Sequence, residues 1–134
     1  MKTGNDGVRL YRVGLRDLYT LRKLNQGDFD TEVFGFHAQQ AVEKFLKCWL
    51  SSIEIDYPFT HDLRVLFDLL DANKQDTGEF RSLQDLTDFA VFYRYEFDTS
   101  MNIRLDRDDC IEQIGRLEMV VRKLGDFHSD IGGE

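Results

Sequence analysis

The chain is 134 residues long, with 17 Lys and Arg against 25 Asp and Glu and a formal net charge of −8. Binding to a phosphate backbone relies on clustered Lys and Arg that displace counterions, and the sequence has no such cluster, so general affinity for nucleic acid is not the leading class. Two cysteines, Cys48 and Cys110, are too few and too far apart for a zinc site, and no apolar run is long enough to span a membrane or resembles a leader. These features predict a cytoplasmic protein without membrane association, metal or cofactor, whose thiols are buried rather than paired. The length predicts a single domain over residues 1–134, with an ordered core of roughly 8–125 that removes about two-thirds of the unfolded surface from water.

One proline, Pro58, and the lack of strict apolar/polar alternation leave an all-helical reading. The first predicted helix starts near Asp6 and carries Leu10, Gly14, Leu18 and Leu21 at three- and four-residue steps, ending near Gln26-Gly27-Asp28. The second follows Asp30-Thr31, either of which offers a capping oxygen. Its stripe of Phe34, Ala38, Ala41, Val42, Phe45, Leu46, Trp49 and Ile53 is the broadest in the chain, which predicts the central helix. Pro58 pushes Tyr57 out of the helical region, and Thr60 is then expected to cap a short third helix from His61, with Leu63, Leu66, Phe67 and Leu70 facing inward. Asn73 to Gly78 is a polar connector. A fourth helix brings Phe80, Leu83, Leu86, Ala90 and Tyr93 to the core, after which residues 96–104 lack periodicity and read as an irregular link. The fifth helix opens near Asp106, beside Asp108 and Asp109, and carries Ile111, Ile114, Leu117, Val121 and Leu124 up to Gly125 as its stop. Short connections favour antiparallel neighbours, so the expected fold is all-α: an up-and-down antiparallel bundle of about five helices.

Three segments say more than periodicity does. Residues Phe36 to Lys47 read Phe-His-Ala-Gln-Gln-Ala-Val-Glu-Lys-Phe-Leu-Lys, Thr60 to Leu63 read Thr-His-Asp-Leu, and the fourth helix ends on Tyr93-Arg94-Tyr95. In this order, and over nearly the whole chain, they resemble the HEPN family of small helical-bundle proteins, with its Gln-Gln-Ala-x-Glu-Lys-x-x-Lys, Thr-His-x-Leu and Arg-Tyr patterns. The resemblance implies a HEPN-like bundle linked to nucleotides, since such proteins are toxin-like ribonucleases of toxin–antitoxin systems or companions of minimal nucleotidyltransferases. Family ribonucleases use an arginine followed after a short gap by a histidine. Arg94 matches the arginine, but Tyr-Glu-Phe-Asp-Thr-Ser-Met follows it, with no imidazole to move a proton. Arg122 and His128 stand at a similar spacing outside the place of that motif and are read as coincidence. The resemblance therefore implies a dimeric accessory or binding protein that takes a nucleotide or a nucleotidyltransferase-type partner. Its alternative is a metal-independent ribonuclease acting on RNA through Arg94, with Tyr95 or His61 as proton shuttle. Aromatics concentrated near one end of the bundle (Phe89, Phe92, Tyr93 and Phe97) also favour a two-fold homodimer.

The candidate ligand- or partner-binding residues are Arg94, Tyr95, Gln39, Gln40, Glu43, Lys44, Lys47, Thr60 and His61. Gln40, Glu43, Lys44 and Lys47 recur at three- and four-residue steps beside the apolar stripe, as a polar ridge that a partner or nucleotide would touch. The plainer reading is a helix surface with a Glu43–Lys47 pair worth about 0.2–0.5 kcal/mol. With the family pattern added, Gln39, Gln40, Glu43 and Lys44 are expected to bond across the bundle to Thr60-His61 or Arg94. His61 is expected as a structural hydrogen-bonding imidazole, and His37 as a boundary residue. Arg94, set among aromatics, suits bidentate binding of phosphate or carboxylate, against a plain ion pair with Glu43, Asp62 or Glu96.

Overall fold

Helices form wherever the apolar stripe recurs at helical spacing. The computed structural model describes residues 6–27, 30–94 and 106–127, except for the side chains of 91–94. It contains α1 (Asp6–Leu24), α2 (Thr31–Ser52), α3 (Leu63–Ala72), a 3₁₀ segment (Gly78–Leu86), α4 (Thr87–Arg94) and α5 (Arg107–Gly125), and among the described residues there is no strand. The fold is the expected all-α bundle. None of the described helices is long and apolar enough to cross a membrane.

The second helix is central, as its stripe predicts. α2 packs against α1, α3, the 3₁₀ segment, α4 and α5, and Phe34, Ala38, Val42, Phe45, Leu46 and Leu50 on it are all at 0% exposure. Two glycines let neighbours close on it. A Cβ at Gly14 of α1 would stand 2.7 Å from the Phe45 ring, and one at Gly35 of α2 would stand 2.3 Å from the Phe89 ring of α4. Cys48 and Cys110 are buried free thiols, and burial pushes each up to about 12.

Four local expectations are corrected. Asp62, not Thr60, caps α3: its carboxylate accepts from the Arg64 amide at 3.0 Å, while the Thr60 hydroxyl accepts from the Asp62 amide at 3.0 Å. The helix thus begins at Leu63 rather than His61, because Asp62 stands two residues before the amide it satisfies. His61 is left on the approach to the helix. The fourth helix opens with nine residues of 3₁₀ geometry, which its own stripe explains: Phe80, Leu83, Leu86 and Phe89 recur every three residues, and three per turn keeps all of them buried. At the end of α5 it is Asp126, not Gly125, that takes the left-handed conformation (φ 55°), and the Phe127 amide returns to the Arg122 carbonyl at 2.9 Å. Gly125 instead makes room for Phe127, whose ring would lie 2.2 Å from a Cβ there. Leu124, expected in the core, is 44% exposed, and the returning Phe127 packs against the core instead. The expected link over 96–104 lies outside the described residues.

Candidate functional site

The polar edge of α2 is built on four-residue steps. Gln39, Glu43 and Lys47 fall one turn apart, so they line one side of the helix next to the turn that leads into α3. Of the expected surface ridge, Glu43 is interior at 0% exposure and Lys47 nearly so at 8%, while Gln40 and Lys44 are half-buried; Gln39, beside them, is also at 0%. This follows from the Thr60-His61-Asp62 turn lying over them, where a surface helix would have met water.

Buried polar atoms need partners, and here they have them. Gln39 Nε2 donates to Glu43 Oε1 at 3.1 Å and to the His61 carbonyl at 2.9 Å, and Gln40 Nε2 donates to Gln39 Oε1 at 2.7 Å. The imidazole of His61 meets the same Glu43 Oε1 through Nδ1 at 2.9 Å. The other carboxylate oxygen accepts from Lys44 Nζ at 3.0 Å and from Lys47 Nζ at 2.9 Å. Lys47 Nζ also lies 5.8 Å from the centre of the Tyr57 ring. Burial alone would raise the Glu43 carboxyl, but the charge of Lys44 and the hydrogen bonds from His61 and Lys47 hold it down at about 2. Glu43 is therefore a buried anion with cations gathered on it.

Six candidates thus come together around one carboxylate: Gln39, Gln40, Glu43, Lys44, Lys47 and His61. Thr60 is next in chain to His61, but its hydroxyl serves the Asp62 amide. The bond from α2 across to His61 matches the expected cross-bundle contact, and the Glu43–Lys47 pair is one part of the network rather than an isolated surface pair. Arg94 closes α4. That helix starts beside the same turn, where the Thr87 hydroxyl accepts from the Leu63 amide at 3.0 Å, and a rise of 1.5 Å per residue carries the Arg94 backbone roughly 10 Å along the axis from Thr87. The Arg94 side chain and the whole of Tyr95 lie outside the described residues.

One further hydrogen-bonded pair adjoins the network, and its Asp17 is not among the expected site residues. Asp17 of α1 meets His37 Nδ1 at 3.2 Å and feels the charges of Lys44 and Glu43. Burial raises its carboxyl above the ordinary value in spite of the bond from His37. The signal was present: position 17 is three past Gly14 and four before Leu21, on the edge of the apolar stripe of α1. Among the described residues, no group of three or more His, Cys, Asp or Glu is placed to hold a metal ion.

Comparisons with curated proteins and with solved structures returned no match. The HEPN domain model, by contrast, matches residues 8–126, which takes in the α2 pattern, the Thr-His-Asp-Leu turn and the end of α4. The chain therefore belongs to the HEPN family.

Proposed function

We propose that this protein is a cytoplasmic HEPN accessory protein, a homodimer of one domain with its ordered core at roughly 8–125, that binds a nucleotide in company with a minimal nucleotidyltransferase and does no chemistry of its own. The observation that carries this reading is the Glu43 network. Two ammonium groups and an imidazole converge on one buried carboxylate, and Lys44 and His61 reach solvent beside it, with side chains 21% and 48% exposed. Phosphate-bearing ligands are met by such donors. The motif that would cut RNA is incomplete, since after Arg94 the next histidine in the chain is His128. Purification of the full chain with any nucleotidyltransferase encoded alongside, and calorimetry with nucleotides, test the reading. Co-purification or nucleotide binding, with no cleavage of RNA, is the expected result.

A toxin-type ribonuclease is the second reading, favoured by one observation: the half-exposed His61 ring is held through Nδ1 by a buried carboxylate, an arrangement that suits proton transfer. In that case Arg94 holds the phosphate and His61 or Tyr95 moves the proton. Induced expression decides between them. Growth arrest with degradation of cellular RNA, abolished by Arg94→Ala, would establish the ribonuclease and overturn the accessory role.

A further inference from the structure

A second surface stands apart from the Glu43 network. α1 carries five basic residues, Arg9, Arg12, Arg16, Arg22 and Lys23, against the two acids Asp6 and Asp17, in a chain whose net charge is −8. Arg12, Arg16, Tyr19 and Lys23 follow one another at steps of four, three and four, so they share the outer face of the helix over roughly 17 Å, and all four are exposed. The acids lie off this face: Asp17 turns to His37 of α2, and Asp6 stands in the first turn beside Arg9. Among the described residues, no carboxylate comes within ion-pairing distance of Arg12, Arg16, Arg22 or Lys23. α5 runs antiparallel alongside, tied by Asn25 to Asp108 and by Tyr11 to Glu118. Arg22 reaches onto it, with Nη2 3.7 Å from where a Cβ on Gly115 would stand. Tyr19 is three residues before Arg22 and Met119 four after Gly115, so both rise on that seam, 60% and 46% exposed, with the half-buried Leu15 and Ile111 on the same two rows. Tyrosine, methionine and arginine are the residues that protein interfaces favour, and carboxylates are depleted there. An apolar seam rimmed by arginines without acidic partners matches an amphipathic helix lying in a groove, whereas a polyribonucleotide would use the cations and leave Leu15, Ile111 and Met119 uncovered.

We infer that the outer face of α1, with its seam to α5, is a docking surface for an acidic amphipathic helix of a partner protein, whose apolar side covers Tyr19 and Met119 and whose carboxylates meet Arg12, Arg16 and Lys23. The proposal goes beyond the nucleotide-binding reading and does not depend on it. The experiment is fluorescence anisotropy with the full-length chain and three labelled probes: a synthetic helix with leucine along one side and glutamate on the others, poly-L-glutamate, and oligouridylate. Saturable binding of the amphipathic helix, tighter than that of either other probe and weakened about tenfold in Arg16→Ala and in Tyr19→Ala, is the expected result, since a central arginine or tyrosine carries about that share of an interface. Lys74→Asn, which removes an exposed lysine from the connector after α3, keeps the wild-type affinity. Arg16 and Tyr19 are both exposed, so unchanged urea midpoints report that the variants are folded. Equal or tighter binding of poly-L-glutamate or of oligouridylate overturns the proposal, the second by making the face a nucleic-acid surface. Lack of binding of the amphipathic helix, or binding that Arg16→Ala and Tyr19→Ala weaken no more than Lys74→Asn does, overturns it as well. So does a fall in the molecular mass of Tyr19→Ala on analytical ultracentrifugation, which would assign the face to a second copy of this chain.

Discussion

Glu43 and Glu118 are both withdrawn from water, at 0% and 9% exposure, yet their surroundings differ in kind. Glu43 is served by two lysines, an imidazole and an amide, gathered from α2 and the turn before α3. Glu118 of α5 accepts the Tyr11 hydroxyl of α1 at 2.6 Å and pairs with Arg122 at 3.1 Å, and Phe127 stacks on Tyr11 at 4.8 Å between ring centres. Burial and the bond to Glu118 push the Tyr11 phenol well above its ordinary value, so it stays a neutral donor. The contrast teaches what each carboxylate does. Glu118 ties α1 to α5 under an aromatic cover, a contact within the fold. Glu43 collects charge at an edge that water reaches, which is what recognition of an anion needs.

The largest effects should separate packing from charge. Phe45→Ala and Glu43→Ala should each cost about 3–5 kcal/mol in urea unfolding, the first by opening a cavity beneath Tyr11 and Gly14, the second by stranding Lys47 without its acceptor. Near-neutral behaviour of Phe45→Ala would mean that α2 is not central; a mild Glu43→Ala would mean that the cations do not depend on it.

Next comes the pH dependence. The Glu43 carboxyl is lowered from an ordinary 4.5 to about 2, so its contribution is fully present above pH 4.5 and is lost as pH falls through 2. Wild type and Glu43→Gln should therefore differ by on the order of 3 kcal/mol near neutrality and converge near pH 2, while Phe45→Ala keeps its deficit throughout. Urea midpoints taken across that range decide it, and parallel curves for Glu43→Gln would contradict the buried-anion description.

The smallest effect belongs to the other carboxylate. Tyr11→Phe removes one hydrogen bond to Glu118 and leaves Arg122 in place, so a loss of about 1.5–3 kcal/mol is expected, measured by the same unfolding curves. A loss equal to that of Glu43→Ala would erase the distinction between the two regions.

Much of the architecture could be read in advance because it depends on neighbours along the chain. The α2 stripe from Phe34 to Leu50 needs only helical periodicity to declare itself, and the start of α5 needs only Asp106, whose carboxylate accepts from the Asp109 amide. Errors arose where two local signals competed. Thr60 and Asp62 both offer capping oxygens, and only the path of the turn over α2 selects Asp62. The three-residue repeat of Phe80, Leu83, Leu86 and Phe89 was visible, but it serves a 3₁₀ segment as well as the edge of an α-helix. Gly125 looked like a stop signal, and its purpose is set by Phe127 folding back.

By itself the sequence determined the helix count, the central position of α2, the family pattern and the set of polar residues along one helix edge, because each follows from spacing within a few turns. Only the tertiary structure decided that Gln39 and Glu43 are interior, that His61 hangs on Glu43 from outside, and that Asp17 joins the same field from α1. Burial and charge pairing depend on which segments cross in space, and nothing in the spacing along α2 says that the turn before α3 closes over it.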